Sequence, residues 1–128
     1  MECPPAPLMQ RTELEMPAVW IFASPALPDG VMWAILCGLE EEGIPALLWD
    51  VPEGPAQVLA KQAADGSPLA VGIGVSGLEK TVALSLRELP SSRPLFELAT
   101  ETCGSDQLRR VGANAARLVK GDPLAHLE

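Results

Sequence analysis

A chain of 128 residues has the size of one domain and is long enough to bury roughly two-thirds of its unfolded surface. With 48% hydrophobic and 20% charged residues it has an ordinary globular composition, and its formal net charge of −8 argues against nucleic acid or an anionic membrane surface as partner, because both require a basic footprint. No apolar run approaches the ~18 residues of a membrane helix, and Met1-Glu2-Cys3-Pro4-Pro5 has neither the cationic nor the apolar region of a secretory signal.

Residues 1–16 are proline-rich and aperiodic, which predicts a disordered or loosely tethered extension ahead of a single domain over 17–124. The apolar run Ala18 to Ala23 has the length and pattern of a strand buried on both faces. A proline-containing loop comes next, with Asp29 suited to cap a helix over 31–42 whose wide apolar surface carries Val31, Met32, Ile35, Leu36 and Leu39.

That helix ends in Glu40, Glu41 and Glu42, with Gly43 placed to stop it. A helix C-terminus is partly negative, so each exposed glutamate there is disfavoured by roughly 0.3–1 kcal/mol. The triplet is read either as a solvated helix end or as a place where one carboxylate is held ready for a cation outside the chain. A crossover helix ends at the rim of the sheet opposite the usual ligand crevice, which is expected near Ser24, Asp29, Pro52 and Ser76, so these glutamates suit docking better than an ordinary active site.

Ala46 to Val51 reads as a second buried strand, and Pro55 suits the first position of a helix running to Asp65, with Gly66 as its stop. Leu69 to Val75 is a third apolar strand. Thr81 to Leu86 alternates small or polar with apolar residues and predicts an edge strand with one wet face, and Leu95 to Leu98 allows a last strand. A final helix over 106–120, capped by Ser105 and stopped by Gly121, carries Arg109, Arg110, Arg117 and Lys120. The order predicts an α/β fold, a small Rossmann-like or flavodoxin-like three-layer sandwich with a mostly parallel sheet and helices on both faces.

Catalytic motifs are sparse. Gly72-Ile73-Gly74-Val75-Ser76-Gly77 formally matches a dinucleotide-binding turn, but Leu78 to Leu86 reads as a turn and strand rather than the helix that pattern must open. Close backbone packing is the better account of these glycines. The one histidine, His126, lies three residues from the end, and Asp29, Asp50 and Asp65 sit where caps and loop ends use them. Cys3, Cys37 and Cys103 are odd in number and widely spaced, which predicts reduced thiols in a cytosolic protein and no metal ligation.

Four blocks occur in order: Gly38 to Pro45, Ser67 to Gly74, Leu89-Pro90 with Pro94-Leu95-Phe96, and Gly112 to Gly121, reading Gly-Ala-Asn-Ala-Ala-Arg-Leu-Val-Lys-Gly. Together they resemble the small (beta) subunit of the reactivating factor for coenzyme B12-dependent diol and glycerol dehydratases, across residues 17–124. The resemblance implies a chaperone-like, non-catalytic subunit paired with a large Hsp70-like ATPase subunit, typically as an α2β2 heterotetramer. It implies subunit swapping with the inactivated dehydratase, which releases damaged cobalamin. It also implies that Glu41, the middle glutamate, lends a ligand to a magnesium ion held mainly by the large subunit, with Glu40 and Glu42 weaker candidates. ATP or ADP would likewise be bound through the large subunit, with no cofactor on this chain alone, and the setting would be cytoplasmic or inside a bacterial microcompartment. The competing readings are a cobalamin-binding, medium-subunit-like component of a dehydratase and a free-standing small α/β enzyme or nucleotide binder.

Overall fold

The computed structural model describes residues 17–25, 29–102 and 104–124. The expected N-terminal extension, Cys103 and His126 lie outside them. The elements are β1 (Val19–Ala23), α1 (Asp29–Glu41), β2 (Ala46–Asp50), α2 (Ala56–Gly66), β3 (Val71–Ser76), β4 (Thr81–Leu86), β5 (Phe96–Ala99) and α3 (Ser105–Lys120). Each expected segment forms, with ends shifted by a residue or two.

The five strands make one sheet in the order β2-β1-β3-β4-β5. β1 pairs in parallel with β2 and β3, whereas β3–β4 and β4–β5 are antiparallel. The sheet is therefore mixed, not mostly parallel as expected. The reason is chain length: a parallel return needs a crossover of about a dozen residues or more, and only Gly77 to Lys80 separate β3 from β4. A second correction concerns β4, expected at an edge with one wet face. It lies between β3 and β5 with Val82, Ala83, Leu84 and Ser85 all buried. Val82 and Leu84 enter the main core, while Ala83 packs beneath Ala56 and Ala60 of α2. The small residues of that alternation meet a helix, not water.

Helices cover both faces. α1 and α3 pack on each other and on the main core of Val19, Ile21, Val71, Ile73, Val75, Val82 and Leu84. α2 covers β3, β4 and part of β1 on the other face. There Trp20, Phe22 and Trp49 cluster, with the Trp20 and Trp49 ring centroids 4.9 Å apart.

Two glycine pairs set the helix positions. A Cβ on Gly38 would fall 1.9 Å from the Arg109 carbonyl oxygen, and one on Gly112 would fall 2.0 Å from that of Ile35. α1 and α3 thus touch backbone to backbone. Gly72 and Gly74 let α2 settle on β3 in the same way, since their added carbons would lie 2.2 and 2.3 Å from α2 backbone atoms. The apparent nucleotide motif is a helix seat. Gly66, expected as a helix stop, is the last residue of α2 and makes room for the Trp20 ring instead.

Gly112→Ala should therefore destabilise the fold by about 1–3 kcal/mol or more, because backbone cannot rotate out of the way. Gly30→Ala, with no neighbour within 4 Å of the added carbon, should leave stability unchanged or slightly raised. Urea unfolding of both variants measures the difference, and equal midpoints would contradict the backbone-contact account.

Candidate functional site

The acidic end of α1 lies at the N-terminal rim of the parallel strands. Its helix stops at Gly43, whose φ of +77° is one that glycine adopts without strain, and the Ile44 N–H donates to the Leu39 carbonyl at 3.2 Å. Pro45 then accepts a hydrogen bond from the Val19 N–H at 3.0 Å, which ties the turn to the start of β1.

Because α1 and α3 approach so closely and their contacts run in the same direction, the ends of both helices meet. The three glutamates are consequently unequal. Glu42 turns inward: one carboxylate oxygen accepts from Arg117 Nε at 3.2 Å and Nη2 at 3.0 Å, and the other from Lys120 Nζ at 2.7 Å. Lys120 also donates to the Glu42 carbonyl at 3.2 Å. The Glu42 side chain is only 19% exposed. Its hydrogen bonds to Lys120 and then Arg117 hold its carboxyl below the usual 4.5, and the Lys120 ammonium is correspondingly raised. The same two cations offset the negative end of α3. Of the three glutamates, this one is hydrogen-bonded to its cations within the chain, a pairing that the sequence did not anticipate.

Glu41 is 37% exposed and meets Arg109 Nε only at 3.8 Å, too long for a hydrogen bond. Glu40 is exposed on the outer stripe of α1, seven residues beyond Trp33 and so nearly in line with it. Trp33 is 46% exposed, the largest apolar side chain on that outer face, and half-buried Met32 and Leu36 flank it. An exposed tryptophan and, two turns on, exposed carboxylates held by at most a long ion pair give this helix face the chemistry of a docking surface.

The opposite rim, where the ligand crevice is expected near Ser24, Asp29, Pro52 and Ser76, carries a second cluster, and nothing in the sequence signals that Glu53 would fill it. β1 and β2 are joined through α1 on one face, and β2 and β3 through α2 on the other. The crevice between the ends of β1 and β3 is therefore the switch point where α/β sheets receive ligands. Here Glu53 enters it. Its carboxylate accepts hydrogen bonds from the Ser76 hydroxyl and from the Leu78 N–H, the latter at 3.2 Å, and the nearby Ser24 hydroxyl further favours its charged form. Ser24 and Ser76 are 2% and 0% exposed. Each serine oxygen accepts a backbone proton, Ser24 from Gly77 at 2.7 Å and Ser76 from Glu79 at 3.1 Å, which fixes both hydroxyls at this rim. These bonds, that from Ser76 foremost, hold the Glu53 carboxyl below 4.5. Glu79 caps α2, accepting from the Ala56 N–H at 2.9 Å. Strand order alone points to Ser24 and Ser76, but Glu53 sits in the loop after β2 with its partners 23 or more residues away, so its place in the cluster is not legible in the sequence.

Cys37 is buried and disulfide-bonded, which corrects the expectation of a reduced thiol at that position. Among the described residues no three His, Cys, Asp or Glu side chains converge to hold a metal ion, and no helix is long and apolar enough to cross a membrane.

The depressed carboxyls define an acid sensitivity. A group whose pKa is lower folded than unfolded contributes stability that is fully present above the unfolded value and lost as pH falls through the folded value. Stability should therefore decline below about pH 4.5. Glu42→Gln should lower the melting temperature at pH 7 by a few degrees and flatten part of the acid decline. An unchanged melting temperature and profile would show that the Glu42 cluster contributes nothing.

A family profile described as "Dehydratase medium subunit" matches residues 16–125. The propanediol dehydratase-reactivating factor small subunit of Citrobacter freundii is 41% identical over 114 residues, covering 88% of this chain and 94% of that one. The diol dehydratase-reactivating factor small subunit of Klebsiella michiganensis is 43% identical over 99 residues, covering 77% of each. A solved glycerol dehydratase reactivase chain superimposes with a TM-score of 0.83 at 38% identity, over 88% of this chain and all of its own. A chain from the diol dehydratase-reactivating factor complexed with ADP and Mg2+ gives 0.79 at 40% identity, with the same coverage. By sequence and by fold alike, the chain belongs to the dehydratase medium subunit family, among the small subunits of diol and glycerol dehydratase-reactivating factors.

Proposed function

We propose that this chain is the non-catalytic small subunit of a dehydratase reactivase, working with a large Hsp70-like ATPase subunit in an α2β2 heterotetramer. In this reading it leaves the large subunit and exchanges with a subunit of the inactivated B12-dependent dehydratase, so that damaged cobalamin is released. The observation that carries the reading is its 41% identity, over nearly the whole of both chains, to a small subunit named for that factor. The setting that fits is the cytoplasm or a bacterial microcompartment.

The outer face of α1 is the docking surface in this account. Trp33 supplies an apolar anchor, and Glu41 supplies a ligand to a magnesium ion shared with the large subunit, which also holds ATP or ADP. Magnesium takes oxygen ligands and needs a nearly octahedral set. Glu41 fits such a role, being exposed and held only by a long ion pair to Arg109. Glu42 fits poorly, because a metal would have to displace both Arg117 and Lys120. Glu40 is exposed as well and nearly in line with Trp33, so the preference for Glu41 over Glu40 rests on the family resemblance. With no complete donor set of its own among the described residues, this chain would contribute one ligand and leave the rest to the partner and water.

The description of the family profile favours a second reading, a cobalamin-binding component of the dehydratase itself. Corrinoid absorbance on the purified chain would support that reading against the first.

Glu41→Ala should weaken magnesium-dependent assembly with the large subunit roughly tenfold or more, and Glu40→Ala by far less. Glu42→Ala should act through stability, lowering the melting temperature without changing the magnesium dependence. Titration of each variant against the large subunit, with ADP and with magnesium or chelator, separates these effects. Equal losses from all three would remove the single-ligand idea. The isolated chain should hydrolyse no ATP, and turnover by pure protein would contradict the subunit reading.

A further inference from the structure

The Glu53 cluster has the form of a binding site filled by the protein's own side chain. We propose that Ser24, Ser76 and the Leu78 amide form a carboxylate-binding site at the switch-point crevice, kept occupied by Glu53. The buried Ser76 hydroxyl and the Leu78 N–H donate to one carboxylate at the carboxyl ends of β1 and β3, and the buried Ser24 hydroxyl lies beside them. Backbone N–H groups of Gly77 and Glu79 donate to the two serine oxygens and hold both hydroxyls in place. The donors are fixed by strands and a short turn, not by the ligand. The glutamate comes from an exposed loop, Pro52 to Pro55, whose only other bond to this carboxylate is from the Gly54 N–H at 3.2 Å.

The donor chemistry sets the ligand class. All donors are neutral, and the Glu79 carboxylate stands close by at the start of α2. A singly charged carboxylate matches this set, whereas a dianionic phosphate would meet a carboxylate with no cation to offset the repulsion. A groove of about 420 Å³ lined by Val51, Pro52, Gly54, Val58 and Leu59 adjoins Glu53 and gives a small organic acid somewhere to place its apolar part. Glu53 competes as a tethered ligand, and short flexible tethers give effective concentrations in the millimolar range. The intact chain therefore takes an external carboxylate only at or above such concentrations.

The test is chemical rescue. Glu53→Ala removes the carboxylate and leaves its donors, so sodium acetate at pH 7 should raise the melting temperature of that variant in a saturable way. Sodium chloride at equal ionic strength should not, and sodium phosphate should act more weakly than acetate. Glu53→Ala combined with Ser76→Ala should lose the acetate response. Glu53→Asp, whose shorter side chain reaches fewer donors, keeps a carboxylate on the loop. It should need more acetate than Glu53→Ala and less than the wild type, which should respond at least roughly tenfold more weakly. Acetate equal to chloride on Glu53→Ala, or the same midpoint in all three chains, would overturn the proposal and leave Glu53 as a loop fastening.

Discussion

The backbone contact between α1 and α3 governs how the rest of the molecule is arranged. Gly38 and Gly112 each face a carbonyl of the other helix at a distance no side chain tolerates. That closeness lets Ile35, Leu39, Val111 and Ala115 share one core with the sheet. It also brings the last turn of α3 beside the end of α1, where Arg117 and Lys120 close on Glu42. Three adjacent carboxylates at the negative end of a helix would otherwise oppose the fold. Neutralising one of them within the chain relieves that opposition and leaves the other two toward solvent. The same packing step thus stabilises the domain and selects which acidic groups face a partner.

The two rims of the sheet have opposite characters. At the carboxyl ends of β1 and β3, where this class of fold offers a ligand crevice, the chain places Glu53 across two buried serines. At the other rim stand the exposed Glu40 and Glu41, on a helix that also exposes Trp33 about two turns earlier. Strand directions reinforce the contrast. The parallel half, β2-β1-β3, retains the order of a doubly wound sheet, while the hairpin through β4 and β5 replaces the further crossover helices such a fold would use.

Much of the fold was legible because local signals were strong. Apolar runs marked the strands, prolines fell between elements, and Gly43 marked the end of α1. The failures share a physical cause: each depended on contacts distant in sequence. Ala83 and Ser85 look like a wet face until α2 is placed over them. Gly72 and Gly74 look like a phosphate loop until the α2 backbone is seen against them. The pairing of Glu42 with Arg117 spans 75 residues, so charge pattern alone could not separate it from Glu41. The hairpin was readable in principle, since the turn before β4 is too short for a parallel return. Glu41 as the outward carboxylate came from family resemblance; the structure adds a reason why Glu42 is the wrong choice.

The most direct test of the central claim is to purify the tagged chain from its native cell extract with ADP and magnesium and identify what accompanies it. The account predicts a stoichiometric large ATPase subunit, lost on chelation and lost from Glu41→Ala while that variant keeps the wild-type melting temperature. Recovery of dehydratase subunits alone, or retention of the ATPase irrespective of magnesium and Glu41, would contradict it.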